Sequence, residues 1–133
     1  MAVVIYHNPD CGTSRNVVRF AEEAGVSPTV IQYLETGWTR PQLLGLFAAA
    51  DVTPIDALRR TRSPTEEMGL LAETDHDVLL GAMIAHPILV NRPFVCSPKG
   101  VMLCRPSERV FEMIDVPDGQ TFYKEDGAEA FQG

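Results

Sequence analysis

Residues 2–16 read AVVIYHNPDCGTSRN and contain the clearest signals of the fold. Its first part, residues 2–6, is short, apolar and rich in β-branched side chains, which predicts a buried strand. Proline, aspartate and glycine then surround Cys11, and these residue types favour a loop. Thr13 is a candidate N-cap for a helix that ends at Gly25. The stretch therefore predicts a strand, a loop that carries Cys11, and a helix.

A second strand and a helical segment follow the first helix. Residues 28–34 read PTVIQYL, and because a helix connects this segment to the first strand, we expect the two strands to lie parallel. From about residue 39 to residue 86 the apolar residues recur at helical spacing, and prolines divide the segment into short helices. We expect this segment to be a helical insertion.

The rest of the chain predicts two further strands and a final helix. Residues 93–96 and 101–104 flank the sequence SPKG at 97–100, which is typical of a type I hairpin turn. Ser107 is a candidate cap for the helix that follows. The order of elements predicts an α/β fold with a thioredoxin-like βαβ and ββα core and a helical insertion between the halves.

The length of the chain fits one domain. Independent cores usually take roughly 100 to 150 residues, so we expect a single domain over residues 1–133, with the insertion at about 39–86. Residues 115–133 are mostly polar, and Phe122 and Phe131 are expected to dock this tail onto the body of the domain.

Composition and charge exclude several classes of protein. Hydrophobic residues make up 45% and charged residues 22%, which is typical of a folded globular chain. No run approaches the roughly 18 apolar residues of a membrane span, and no signal peptide is evident, so we expect a cytoplasmic protein with no membrane partner. The formal net charge of -7 argues against binding to nucleic acid.

The chain has three cysteines, Cys11, Cys96 and Cys104. Such an odd, sparse set indicates reduced thiols, and its spacing lacks the paired clusters of a structural metal site. Only Cys11 follows a strand and precedes a helix, where unpaired N–H groups and the helix dipole stabilise a thiolate. Cys11 is therefore the candidate nucleophile, and a buried structural cysteine is the alternative interpretation.

The loop around Cys11 also has the features of an anion site. Gly12, Thr13 and Ser14 place backbone N–H groups and two hydroxyls at a helix N-terminus. Ser14 stands where a dithiol oxidoreductase carries its second cysteine, so the site is monothiol and needs a further thiol from elsewhere. His7, four residues before Cys11, either lowers the pKa of the thiol as an imidazolium or forms a hydrogen bond with the backbone.

Arginine predominates among the basic residues, with nine Arg against two Lys. Its planar guanidinium suits bidentate binding of oxyanions. Arg92 precedes a proline that opens a strand, and Arg105 follows the last strand of the core, so we expect both side chains near Cys11. Arg59, Arg60 and Arg62 form a cluster at the end of a short predicted helix. Compensation of the helix dipole by their positive charge is the alternative to a role in oxyanion binding.

Four segments of the chain together resemble the glutaredoxin-coupled arsenate reductases. They are YHNPDCGTSRN at residues 6–16, LR at 58–59, HPILVNRP at 86–93 and LCRPSE at 103–108. The resemblance covers nearly the whole chain and implies a thioredoxin-like core with a helical insertion. It also implies that Cys11 is the catalytic nucleophile and that His7 tunes the thiol.

The resemblance further implies an oxyanion site and a reaction. Arsenate would be bound by Arg59, Arg92 and Arg105, with Arg60 the alternative to Arg59, while the Cys11 thiolate attacks arsenic. Glutathione, as co-substrate, would attack the adduct, and glutaredoxin would accept the glutathione as a mixed disulfide when arsenite is released. This reaction of arsenic detoxification needs no metal and no tightly bound cofactor.

Three alternative functions are weighed against this interpretation. The first alternative is a noncatalytic redox regulator of the Spx type, which has a similar fold. Many such regulators carry a CxxC motif, and this chain has Ser14 in place of the second cysteine. A paralogue that binds glutathione or another thiol without acting on arsenic is the second alternative. A phosphatase-like arsenate reductase is excluded, because its CxxxxxR loop needs an arginine where this chain has Val17.

Overall fold

The computed structural model describes all 133 residues, which fall into two compact units. The first unit contains Met1–Gln32 and Arg92–Gly133, and the second contains Tyr33–Asn91. The regular elements of the first unit, in chain order, are β1 (Val4–His7), α1 (Gly12–Glu23), β2 (Thr29–Gln32), β3 (Phe94–Ser97), β4 (Gly100–Leu103), a 3₁₀ helix (Ser107–Glu112), β5 (Thr121–Tyr123) and β6 (Glu129–Gln132).

The first unit is built on a four-stranded sheet with the strand order β2-β1-β3-β4. Strands β1 and β2 are parallel, as expected for strands joined through a helix. Strand β3 runs antiparallel to both β1 and β4. The predicted α/β class and its βαβ and ββα order are therefore confirmed.

Helix α1 is amphipathic, and its apolar face packs into the core of the first unit. Val17, Phe20 and Ala21 are fully buried and belong to one cluster with Ile5 of β1 and Val95 of β3. This packing fixes the start of the helix beside the end of β1, because both elements share the same apolar cluster.

The ends of α1 differ in part from the prediction. Cys11, in extended conformation, is the N-cap and the helix begins at Gly12, so the prediction of a Thr13 cap is wrong. The helix ends at Glu23, and Gly25 then adopts a φ of 88°, a left-handed conformation that glycine takes without a Cβ clash.

Two other boundaries also differ from the sequence prediction. The strand expected at 28–34 stops at Gln32, because the chain enters a short helix, α2 (Tyr33–Thr36). The last helix of the core is 3₁₀ rather than α-helical, and Pro106 rather than Ser107 is its N-cap. The Ser107 hydroxyl instead donates to the Glu108 carboxylate, 2.9 Å away.

Strands β5 and β6 form a C-terminal hairpin that packs on the apolar face of α1. Phe122 is fully buried, and its ring contacts Phe20 edge-on at a centroid distance of 6.1 Å. Phe131 stacks on Phe111 of the 3₁₀ helix at 4.4 Å. The expectation that Phe122 and Phe131 dock the tail onto the body is confirmed.

The second unit is largely helical. After α2 its elements are α3 (Arg40–Ala50), a 3₁₀ helix (Leu70–Ala72), α4 (His76–Ala85) and a second 3₁₀ helix (Pro87–Leu89). A capping box between Thr39 and Gln42 starts α3. The predicted helical insertion, about residues 39–86, lies within this unit. None of the helices is both long enough and apolar enough to cross a membrane.

Candidate active site

Cys11 lies at the point where the first loop of the sheet becomes helix α1. It is only 6% exposed, and no side chain caps the helix, whose first turn also lacks an acidic residue. The backbone N–H of Ser14 is hydrogen-bonded to the Cys11 sulfur. The positive end of the helix therefore faces the sulfur without a competing carboxylate of its own.

Two arginines from the C-terminal segment of the first unit, residues 92–133, act on this thiol. Arg105 Nη1 lies 3.6 Å from Cys11 Sγ and also donates to the carbonyl oxygen of Arg92 at 3.1 Å. Arg92 is 7% exposed and acts on the thiol through its charge. Each arginine precedes a proline across a cis peptide bond, at Arg92–Pro93 and Arg105–Pro106. The geometry thus brings together two of the three arginines that the sequence singled out.

These groups decide the protonation state of Cys11. Burial by itself raises the pKa of the thiol. The Ser14 N–H, the charge of Arg92, and the hydrogen bond and charge of Arg105 act in the opposite direction and together hold the pKa of Cys11 below its ordinary value. The arrangement favours a thiolate, which is the nucleophilic form of cysteine.

Ser14 links the helix to the loop behind the nucleophile. Its hydroxyl oxygen lies 2.6 Å from His7 Nδ1 and accepts a hydrogen bond from the backbone N–H of Asn8 at 3.1 Å. Burial, with a smaller contribution from the Arg15 charge, lowers the pKa of His7 below its usual range. The lowered pKa favours the neutral imidazole over the imidazolium, and the role of His7 beside the thiol stays a prediction.

Asn8 organises the loop, although its sequence position alone indicated no such role. It is 2% exposed, its side-chain oxygen accepts from the Asp10 N–H at 2.9 Å, and its carbonyl oxygen accepts from the Cys11 N–H at 3.1 Å. The Cys11 carbonyl in turn accepts from the Arg15 N–H at 2.9 Å. Hydrogen bonds among residues 8–15, from the backbone and from the Asn8 side chain, therefore stabilise the conformation of the loop.

Arg15 and Glu125 form an ion pair beside the loop that the sequence did not predict. Arg15 Nε and Nη2 donate to the two carboxylate oxygens of Glu125 at 2.7 and 3.1 Å, and Nη1 donates to the Pro9 carbonyl at 2.8 Å. Since Glu125 lies 110 positions further along the chain, no local pattern marks it as a partner of Arg15.

Arg59, the third predicted oxyanion ligand, belongs to the second unit. Its side chain is 7% exposed, and its Nε donates to the Thr61 carbonyl at 2.8 Å. Its own carbonyl accepts from the hydroxyls of Ser63 and Thr65, while the neighbouring Arg60 is exposed. The oxyanion role of Arg59, and the choice between Arg59 and Arg60, stay predictions.

The two downstream cysteines have a different environment from Cys11. All three thiols are free of disulfides. Burial raises the pKa of Cys96, and it raises the pKa of Cys104 to about 12. The Cys104 thiol donates a weak hydrogen bond to the Met102 carbonyl at 3.8 Å. Both thiols are protonated at neutral pH and are therefore poor nucleophiles.

Comparison with known proteins identifies the family of the chain. The family model described as ArsC matches residues 6–113. The chain belongs to the ArsC family. The arsenate reductase ArsI2 of Synechocystis is 62% identical to this ArsC protein over 126 residues, which cover 94% of this chain and 90% of the relative. The arsenate reductase of Escherichia coli K12 is 48% identical over 129 residues, which cover 94% and 89%.

The fold of this ArsC protein is also that of a solved relative. An arsenate reductase from Vibrio cholerae superposes with a TM-score of 0.80 at 34% identity, over 86% of this chain and 98% of the other. The family that the four sequence segments indicated, and the thioredoxin-like core that it implied, are confirmed.

Proposed function

We propose that this ArsC protein is an arsenate reductase in which the Cys11 thiolate attacks arsenate bound by arginine. The single observation that carries the proposal is the 3.6 Å contact between Arg105 Nη1 and Cys11 Sγ at an uncapped helix N-terminus. The relatives named above are arsenate reductases over nearly the same length of chain, which makes arsenate the oxyanion to test first.

The first step is the capture of the anion. Arg92 and Arg105 present guanidinium groups, and Gly12 and Ser14 present backbone N–H groups of the first helical turn, to a tetrahedral oxyanion. Their positive charge offsets the repulsion between the anion and the thiolate as the two approach. The Cys11 sulfur then bonds to arsenic, and one arsenate oxygen leaves as water after protonation.

The second step is a two-electron reduction that takes both electrons from thiols. Glutathione replaces a further oxygen on arsenic, and a thiol of glutaredoxin then takes the glutathione as a mixed disulfide. Arsenic passes from the pentavalent to the trivalent state and stays bonded to Cys11, and a water molecule then hydrolyses this sulfur–arsenic bond, which releases arsenite and regenerates Cys11. In total, one arsenate and two thiols give one arsenite, one disulfide and one water.

External thiols are required because the chain offers no resolving cysteine of its own at the site. Ser14 occupies the position of the second cysteine of a CxxC motif. Cys96 and Cys104 are both held in the protonated form by burial. Glutathione and glutaredoxin are therefore proposed as the co-substrate and the partner, with no tightly bound cofactor in the reaction.

His7 and Ser14 are proposed to act together as a positioning pair behind the thiol. Their side chains lie 2.6 Å apart, and the Ser14 N–H is bonded to the sulfur, so a fixed Ser14 fixes the direction of that N–H. Neutral His7 supplies a hydrogen-bonding ring nitrogen rather than a charge.

The proposed function is tested by arsenite formation. Purified protein is incubated with arsenate, glutathione and glutaredoxin, and arsenite is measured against reactions that lack the protein, glutathione or glutaredoxin. We expect arsenite only in the complete mixture. No arsenite above the blank would contradict the proposal, and arsenite without glutaredoxin would contradict the proposed partner.

A further inference from the structure

We propose that Arg15 and Glu125 are a positioning pair that holds the Cys11 loop against the C-terminal hairpin and so keeps the nucleophile in its reactive geometry. Neither side chain is proposed to touch the substrate. The inference deepens the proposed function and rests on Cys11 being the nucleophile.

The first support is the way in which the Arg15 guanidinium is used. All three of its nitrogens donate, two to the Glu125 carboxylate and one to the Pro9 carbonyl. Pro9 lies two residues before Cys11, so one planar group joins the entry to the loop with the turn of the hairpin. A guanidinium that donates from each of its three nitrogens, two of them to one carboxylate, has a more fixed orientation than a solvated one.

The second support is the position of the pair over the start of α1. An ideal Cβ built on Gly12 would lie 3.6 Å from Arg15 Nη2 and 3.7 Å from Glu125 Oε2. The pair therefore lies beside the first residue of the helix, immediately after the nucleophile. We expect a small movement of the pair to displace the backbone that carries the Cys11 sulfur.

The third support is that the hairpin is fixed well enough to serve as an anchor. The Glu125 N–H donates to Asn16 Oδ1 at 3.0 Å, and Arg19 donates to the Tyr123 carbonyl. With Phe122 buried beneath, the hairpin turn has several independent attachments to the first unit.

Glu125 offsets part of the Arg15 charge, which still reaches His7 and Cys11, and the pair is proposed to act mainly through geometry. Mutual hydrogen bonding lowers the pKa of Glu125 and raises that of Arg15, so both remain charged across the working pH range. The two side chains are 44% and 39% exposed, where a single ion pair adds little to global stability. Variants of the pair are therefore expected to fold.

The test compares two charge-neutral double variants of the full chain. Arg15→Gln with Glu125→Gln removes the proposed positioning pair. Lys124→Gln with Glu108→Gln is the matched control, because it removes the 2.9 Å ion pair between the hairpin and the 3₁₀ helix without touching the Cys11 loop. The pKa of Cys11 is measured from its alkylation rate against pH, with Cys96 and Cys104 replaced by alanine. Steady-state kcat and KM for arsenate and the thermal midpoint are measured for both variants.

For the first double variant we expect kcat/KM to fall about tenfold, mainly through kcat, because the nucleophile is less well positioned. We expect the pKa of Cys11 to rise toward that of a free thiol while the thermal midpoint stays close to wild type. The matched control is expected to change neither the pKa nor kcat. Glu125→Asp keeps the charge but cannot span the bidentate contact, and we expect an intermediate defect.

Three results would overturn the inference. The first is an unchanged Cys11 pKa and kcat in the Arg15→Gln, Glu125→Gln variant. The second is an equal change of pKa and kcat in the matched control. The third is wild-type pKa and kcat in Glu125→Asp, which would show that the charge of residue 125 alone suffices. Failure of the proposed function can be distinguished from failure of this inference, because the alkylation of Cys11 is measured without arsenate. A wild-type protein that reduces no arsenate would leave the comparison of Cys11 pKa values intact.

Discussion

Cys11 and Cys104 are both buried, yet their pKa values move in opposite directions. Cys11 is 6% exposed and Cys104 is fully buried. Cys104 lies in the apolar core, where its thiol has only a carbonyl as a hydrogen-bond acceptor, and its pKa rises to about 12. At Cys11 the Ser14 N–H, the charge of Arg92 and the hydrogen bond and charge of Arg105 lower the pKa of the thiol. Reactivity therefore depends on which groups face a buried thiol, since burial alone suppresses it.

The largest expected effect of this difference is on activity. We expect Cys11→Ser to abolish arsenate reduction, because a serine hydroxyl is not ionised by these neighbours and no other thiol occupies the site. Cys104→Ala and Cys96→Ala should retain most of the activity. Arsenite formation by the three purified variants tests this, with circular dichroism as the check on folding. A folded Cys96→Ala or Cys104→Ala protein without activity would indicate an internal disulfide relay instead.

The second effect separates the geometry of the arginines from their charge. Arg105→Lys and Arg92→Lys keep the positive charge but lose the planar fork that suits an oxyanion. We expect kcat/KM for arsenate to fall by about 100-fold in each, similar to the removal of a transition-state donor. Arg109→Lys is the matched control, because Arg109 lies on the surface and donates to the Leu103 carbonyl. Near-wild-type kinetics in Arg92→Lys and Arg105→Lys would remove both residues from the oxyanion site.

The third and smallest effect concerns stability. Cys104 has a higher pKa in the folded chain than in the unfolded chain, so its contribution is complete below the ordinary thiol pKa and is lost as pH rises toward 12. Between pH 8.5 and 9.5 we expect wild type to lose about 1 kcal/mol relative to Cys104→Ala. Denaturant unfolding of both proteins at several pH values measures this difference. Parallel pH profiles would show that the Cys104 pKa is not raised.

Cys11 should change stability with the opposite sign. Its pKa is lower in the folded chain, so its contribution is present above the ordinary thiol pKa and is lost as pH falls through the folded value. The same measurements on Cys11→Ser are expected to show a shallower rise of stability with pH than wild type shows. An identical slope would indicate that the folded protein does not favour the thiolate.

Local sequence patterns were enough to predict the strand, loop and helix that present Cys11. The apolar run before it and the proline and glycine around it act over a few residues, so they can be recognised without the fold. Arg92 and Arg105 could be predicted because each lies at a strand end, next to a proline. The hairpin at the C-terminus was less evident, although the docking of Phe122 and Phe131 followed from their isolation in a polar tail.

The features that the sequence did not predict depend on contacts between distant segments. The lowered pKa of His7 follows mainly from its burial, which only the fold shows, and to a smaller extent from the charge of Arg15 in the same motif. Glu125 is one acidic residue among several in the tail, and only the folded hairpin brings it to Arg15. Thr13 is a good capping residue by type, but tertiary packing starts the helix at Gly12 instead.

The most direct test of Cys11 as the activated nucleophile is the titration of its thiol. With Cys96 and Cys104 replaced by alanine, the rate of alkylation of Cys11 is measured against pH, with and without sulfate. We expect a midpoint below that of a free thiol, about 8.5, and a rise of that midpoint when sulfate shares the positive site. A midpoint at the free-thiol value that does not respond to sulfate would contradict the assignment of Cys11 as the activated nucleophile.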